Sequence, residues 1–339
     1  MLNKLESLCG LYGVSGREDA VREYIISQIR DKAEFHTDNS GNLIVFKKGR
    51  QVPKNKVMLA AHMDEVGFIV TFITDDGYLR FDTVGGIDAS VLSGRSVLVG
   101  GRLVPGVIGV KPVHLLKSEE KENYPEKDML YIDIGAPSKA RAGEAVSVGD
   151  AAYFDSDFVE FGDGFVKGRA IDDRAGCALM LHMIGGELEF DTWFAFTAQE
   201  ETGSGGAFAA AFAVEPDYSI VLEATTAADI AGVKGEKRVC ALGGGAAISF
   251  MDRGTIYPRD LFDRAFELAR ENGVKAQPKT LVAGSNDAAA VFKSRAGVRV
   301  LTLSLPCRYI HSPSCVISAP DLYETEKLAR LLAADFARR

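Results

Sequence analysis

The sequence predicts an α/β protein with an all-β domain inserted into it. Three observations predict this. Over residues 1–67, and again over 165–339, apolar strands that end in charged residues alternate with amphipathic helices. Between them, over residues 68–164, that alternation gives way to short β-runs punctuated by Gly, Pro and Asp, with no good helix. The 339 residues also exceed one typical domain and suffice for two.

The elements follow in order. Ser15-Gly-Arg-Glu18 reads as a capping box opening a helix over Asp19–Arg30, with Val21, Tyr24, Ile25 and Ile29 on one face. The turn Asp38–Gly41 leads to a strand at Asn42–Phe46. Val57–Ala61 is a second strand, and it runs into His62-Met-Asp-Glu-Val-Gly67. Six β-runs follow: Phe68–Thr71, Tyr78–Phe81, Ser96–Val99, Val107–Val110, Met129–Ile134 and Ala152–Phe154. Lys117–Lys127 is a charge-dense, solvated loop. The α/β pattern resumes with Asp172-Asp173 before an apolar helix at Ala175–Ile184. Trp193–Ala198 is a strand, Ala207–Ala213 a helix, and Tyr218–Leu222 a strand ending in Glu223. Arg259–Glu271 is an amphipathic helix, and Gly284-Ser-Asn-Asp287 caps an Ala-rich one. Arg299–Leu305 is a strand, and Asp321–Phe336 is the closing helix.

Composition excludes several function classes. Hydrophobic residues make up 47% and charged residues 25%, as in globular proteins. A net charge of −8 argues against nucleic acid and against an anionic membrane surface. No apolar run is long enough to span a bilayer. The first residues lack a basic and then apolar signal, and the five scattered cysteines make no C-x-x-C pair. A cytoplasmic setting is expected.

The chemistry concentrates where strands end. His62, Glu200 with Glu201, and Glu223 each follow an apolar strand, and in an open α/β sheet such ends converge on one crevice. Asp172 lies just before a helix and His311 just after a strand. Two imidazoles with three or four carboxylates suit zinc, cobalt or manganese better than magnesium or calcium, and suffice for two ions. Adjacent side chains leave an extended chain in opposite directions, so one glutamate of the pair can bind while its neighbour moves a proton. Asp64, two residues beyond His62, can fix the imidazole tautomer. Taken singly, each residue also has a plain structural explanation, as a helix cap, a solvated turn or a hydrogen-bonded histidine. His36, His114 and His182 occupy no comparable position and read as structural or exposed.

Six ordered motifs run through the chain: Gly13-Val-Ser-Gly-Arg-Glu18, Ala61-His-Met-Asp-Glu-Val-Gly67, Gly168-Arg-Ala-Ile-Asp-Asp-Arg174, Ala198-Gln-Glu-Glu-Thr-Gly203, Gly284-Ser-Asn-Asp287 and Arg308-Tyr-Ile-His-Ser-Pro313. Together they resemble the TET-type dinuclear metallo-aminopeptidases, which include glutamyl and deblocking aminopeptidases and some members labelled endoglucanase. The resemblance implies a mixed-sheet, three-layer α/β peptidase domain carrying an inserted β-barrel-like dimerisation or assembly domain. It implies two divalent ions per subunit, zinc or cobalt, with His62 on one, His311 on the other, Asp172 bridging, and Glu201 and Glu223 completing the shells. Glu200 is then the general base and Asp64 orients His62. Relatives often have a cis peptide bond after the bridging aspartate, which extends the expectation to Asp172–Asp173. Short peptides are the implied substrates, and a homo-oligomer between dimer and dodecamer the implied assembly. Two positions depart from the family pattern: Glu223 replaces an aspartate and Cys315 a glutamate.

The activity expected is hydrolysis of an N-terminal peptide bond, Glu200 taking a proton from water and returning it to the leaving amine. A metal-dependent deacylase or amidohydrolase, a metal-independent glycosidase and a catalytically idle assembly protein are the competing readings.

Overall fold

A computed structural model describes residues 1–116 and 125–339. The charge-dense loop expected at 117–127 lies outside the described residues as far as residue 124; beyond it, Lys127 pairs with Asp82. Helices α1 (Leu2–Cys9) and α2 (Asp19–Ile29) lead to strands β1 (Glu34–Thr37), β2 (Leu43–Lys47) and β3 (Val57–His62). Then come β4 (Gly67–Ile73), β5 (Leu79–Val84), β6 (Ser96–Val99), β7 (Val104–Gly109), β8 (Tyr131–Asp133), α3 (Lys139–Gly143), β9 (Ala151–Phe154), β10 (Val159–Phe161) and β11 (Phe165–Gly168). The last part holds α4 (Ile171–Gly185), β12 (Thr192–Thr197), α5 (Gly205–Val214), β13 (Tyr218–Thr226), β14 (Ala246–Ile248), α6 (Arg259–Glu271) and β15 (Ala276–Pro278). It closes with α7 (Ala288–Val291), β16 (Arg299–Cys307), β17 (Cys315–Ser318) and α8 (Ala319–Arg338).

Eight strands form one mixed sheet in the order β1-β2-β12-β3-β13-β16-β14-β15. Its central strands β12, β3, β13 and β16 are mutually parallel, so their C-terminal ends open on one edge. Strands covered on both faces read as unbroken apolar runs, and every residue of β3 is buried. Helices α4 and α8 pack on this block, with α1 and α2 against α4 and α6 against α8; α5 and α7 pack on each other and on β12 and β16. The result is a three-layer α/β arrangement. One core joins sheet and helices, including Ile25 and Ile29 of α2, Leu179 and Met183 of α4, and Leu328 and Leu332 of α8.

Six strands close into a barrel in the order β4-β5-β8-β7-β6-β9. Its separate core centres on Phe68, whose ring meets Phe81 and Phe154 edge-on at 5.1 and 5.0 Å. The barrel leaves the chain four residues after β3, at the same sheet edge where the candidate residues gather. The stretch expected to lack a good helix carries, among the described residues, one short α-helix, α3, capped by the Ser138 hydroxyl accepting from the Arg141 amide. Strand β10 pairs with β11, and β11 with β17, in a three-stranded sheet apart from the barrel. Among the described residues no helix is long and apolar enough to cross a membrane. All five cysteines are buried and free.

Candidate metal centre

The parallel register sets the site. Thr197 of β12 pairs with His62 of β3, so the turn after β12 arrives beside His62. Val221 of β13 pairs with Ala60, which brings Glu223 level with His62, their side chains 3.8 Å apart. Glu223 was expected at a strand end, but β13 runs on to Thr226 because β16 pairs with it as far as Cys307.

Asp172 joins the two histidines. Its Oδ1 lies 3.3 Å from His62 Nε2, and its Oδ2 3.2 Å from His311 Nε2. Glu201 Oε1 lies 3.7 Å from His311 Nε2. The Asp172–Asp173 peptide bond is cis, as the resemblance implies, and both residues break the helical geometry at the start of α4. The structure thus brings His62, Asp172, Glu201, Glu223 and His311 into one pocket, with Glu200 on its wall. The cleft above them holds about 710 Å³ and extends past Phe208, Leu281 and Lys279.

The donor set fits a cation. Each histidine turns Nδ1 toward a backbone carbonyl, His62 to Asp64 O at 3.1 Å and His311 to Gly86 O at 2.7 Å. An Nδ1–H donating there leaves the Nε2 of a neutral ring as a bare lone pair facing carboxylate oxygens. Two acceptors face to face need a proton or a metal between them. Asp172 Oδ1, Glu201 Oε1 and Glu223 Oε1 are buried without a hydrogen-bond partner, as a set of waiting ligand atoms would be. One oxygen or nitrogen from each of His62, Asp172 and Glu201 lies within 4.8 Å of the others, and the same holds for His62, Asp173 and Glu223. Asp173 is the one member of these groups not foreseen as a ligand; its Oδ1 accepts from the Gly176 amide at 2.8 Å, as a helix cap does.

The electrostatics agree. Burial pushes the carboxyls of Glu200 and Glu201 up to about 9 and about 7, and that of Glu223 well above its ordinary value. Burial would raise Asp172 as well, but the His311 and His62 rings against its two oxygens hold it well below the usual range. Burial alone would lower His311; the Asp172 hydrogen bond and the Glu201 charge outweigh it and raise the imidazole to about 10. This pocket holds more carboxylates than its two imidazoles can neutralise, which is the charge pattern a divalent cation relieves.

Residues that sequence reasoning placed elsewhere support the site. Ser15 and Glu18 form no capping box: α2 starts at Asp19 without a side-chain cap. Ser15 Oγ instead donates to Asp64 Oδ2 at 2.6 Å, and Glu18 Oε1 accepts from the Gly16 and Gln199 amides at 2.7 and 3.1 Å. Asp64 sits beyond the end of β3, its Oδ1 3.4 Å from His62 Nδ1. It also accepts from the backbone amides of both Glu200 and Glu201, at 3.0 and 3.1 Å. These glutamates lie in a turn opened by Gln199 at φ 59°, so the extended-chain argument for their divergence does not apply. Ala170, Gln199 and His311 are all non-glycine residues with positive φ, and strain of this kind gathers where function over-determines the backbone. Gly85 follows β5 in the loop toward β6; its φ of 81°, with a Cβ that would come 2.8 Å from Val66 Cγ1 and 3.0 Å from Glu201 Oε2, favours glycine where that loop meets the site. Asp287 does not cap α7 with its side chain; it turns inward, and Thr197 Oγ1 donates to it at 2.5 Å. Cys315 is buried, with its thiol toward the carbonyls of Tyr309 and Ser312 in the loop that carries His311. His182 pairs with Glu326 at 2.9 Å, away from the site.

Known proteins match this arrangement over nearly its whole length. A putative aminopeptidase of Acetivibrio thermocellus is 37% identical over 331 residues, covering 97% of both chains. The aminopeptidase APDkam598 of the archaeon Desulfurococcus kamchatkensis superposes with a TM-score of 0.92 at 33% identity, over 97% of this chain and 93% of that one. The Pyrococcus horikoshii TET1 peptidase, described as assembling into a tetrahedron or a large octahedral shell, gives 0.87 at 36% identity over 98% of both chains. The profile of the M42 glutamyl aminopeptidases matches residues 41–328. The chain belongs to that family and is by class an aminopeptidase.

Proposed function

We propose that this chain removes N-terminal residues from short peptides with two divalent ions, zinc or cobalt, held in the pocket. His62 and Glu223 would hold one, His311 and Glu201 the other, with Asp172 shared. The observation that carries the reading is the Asp172 carboxylate, one oxygen on each histidine Nε2. When bound, such ions supply Lewis acidity to the scissile carbonyl and lower the pKa of water. Glu200 takes the proton of the attacking water and returns it to the leaving amine. A free α-amine is drawn to the carboxylates that line the pocket, which favours chain ends over internal bonds.

The barrel is the proposed assembly module. Phe72, Val107 and Met129 on its strands and loops are 52%, 47% and 42% exposed, apolar surface open to a second subunit. The TET1 relative assembles into shells, and the same family fold supports a homo-oligomer here. Free buried cysteines fit a reducing, cytoplasmic setting.

A panel of aminoacyl anilides, assayed after chelation and after return of each divalent ion, tests the reading. Activity on anilides that vanishes with chelation and returns with metal supports it. Activity confined to N-acyl amino acids would favour a deacylase instead. Glu200→Gln lowers kcat by ~10²–10⁴-fold with metal content unchanged; near-normal activity would remove Glu200 from its role.

A further inference from the structure

We infer that Ser204 is a positioning residue that holds the Glu200 carboxyl in its working orientation, an assignment that rests on Glu200 being the general base. The backbone of Glu200 is fixed by Asp64, but a glutamate side chain has three further torsions. Its carboxyl needs an anchor of its own to stay over the pocket.

Ser204 supplies one. It starts α5 in a left-handed conformation, φ 58°, and its amide donates to Glu200 O at 3.0 Å. That tight turn brings Ser204 Oγ to 3.4 Å from Glu200 Oε1. Ser204 is itself 9% exposed, so water competes little for the hydroxyl.

A double-mutant cycle on the metal-loaded protein tests this. Ser204→Ala is expected to lower kcat about tenfold, as for one lost hydrogen bond to a charged group. KM should stay within about twofold, with bound metal and melting midpoint unchanged. In a Glu200→Gln background, Ser204→Ala should cost nothing further. Equal losses in both backgrounds, an unchanged kcat for Ser204→Ala, or a loss accompanied by a lower melting midpoint would overturn the inference. Where the Glu200→Gln protein is too slow to follow, the split between kcat and KM for Ser204→Ala decides. Full activity of Glu200→Gln alone is a separate result, which removes the base assignment rather than this one.

Discussion

Asp64 accepts the backbone amide of Glu200 at 3.0 Å, with a side chain that also lies 3.4 Å from the His62 ring. One buried carboxylate thereby aims a proposed metal ligand and fixes the turn that carries the proposed base. Asp64→Asn keeps the shape but replaces one acceptor oxygen with a donor that faces backbone N–H or Ser15. Partners of this kind typically cost ~10–100-fold in metal affinity or activity when lost. Steady-state kinetics at saturating and limiting metal would show the loss; an unchanged protein would mean that the turn is held without Asp64.

Metal loading should weaken in acid. In the metal-free chain Glu201 titrates at about 7 and His311 at about 10, so at pH 6 both carry protons. A cation must displace them, since ligation needs bare carboxylate and imidazole. Affinity therefore rises with pH, by about tenfold or more per unit between pH 6 and 8, because His311 alone gives up one proton throughout that window. Calorimetry in buffers of different ionisation enthalpy counts the protons released. A pH-independent affinity would show that these groups are not ligands.

Gly206 lies where α5 packs under the Glu200 turn. A Cβ there would sit 2.2 Å from Ala198 O and 2.4 Å from Asn42 Oδ1, the group that accepts from the Ala198 amide. Gly206→Ala forces these apart, and overpacking of this kind costs ~1–3 kcal/mol. Chemical denaturation should show a lower midpoint, and activity should fall with it because the displaced turn carries Glu200. A neutral substitution would mean that α5 shifts freely.

Much of the site was legible because parallel strands advertise themselves. An apolar run that ends in a donor residue marks a strand whose tip is functional, which is how His62, Glu200, Glu201 and Glu223 stood out. Asp172 and His311 lie outside strands; their places just before a helix and just after a strand single them out, and the resemblance supplies their roles. What stayed hidden is the support. Ser15 and Glu18 have the spacing of a capping box, and nothing local distinguishes that use from contacts with Asp64 and Gln199, 49 and 181 residues away. Asp287 likewise reads as a helix cap until the sheet places Thr197 beside it, 90 residues off in sequence. Short-range signals name an element; only the folded register says which side chain faces which.

The count of divalent ions per chain, in the native protein and in Asp172→Asn, tests the central claim most directly. Elemental analysis should find two per chain in the native protein. The variant should lose at least one, because the substitution leaves one oxygen for two histidines that now share both. No bound metal in the native protein after equilibration with zinc or cobalt, or full occupancy in the variant, would contradict the account.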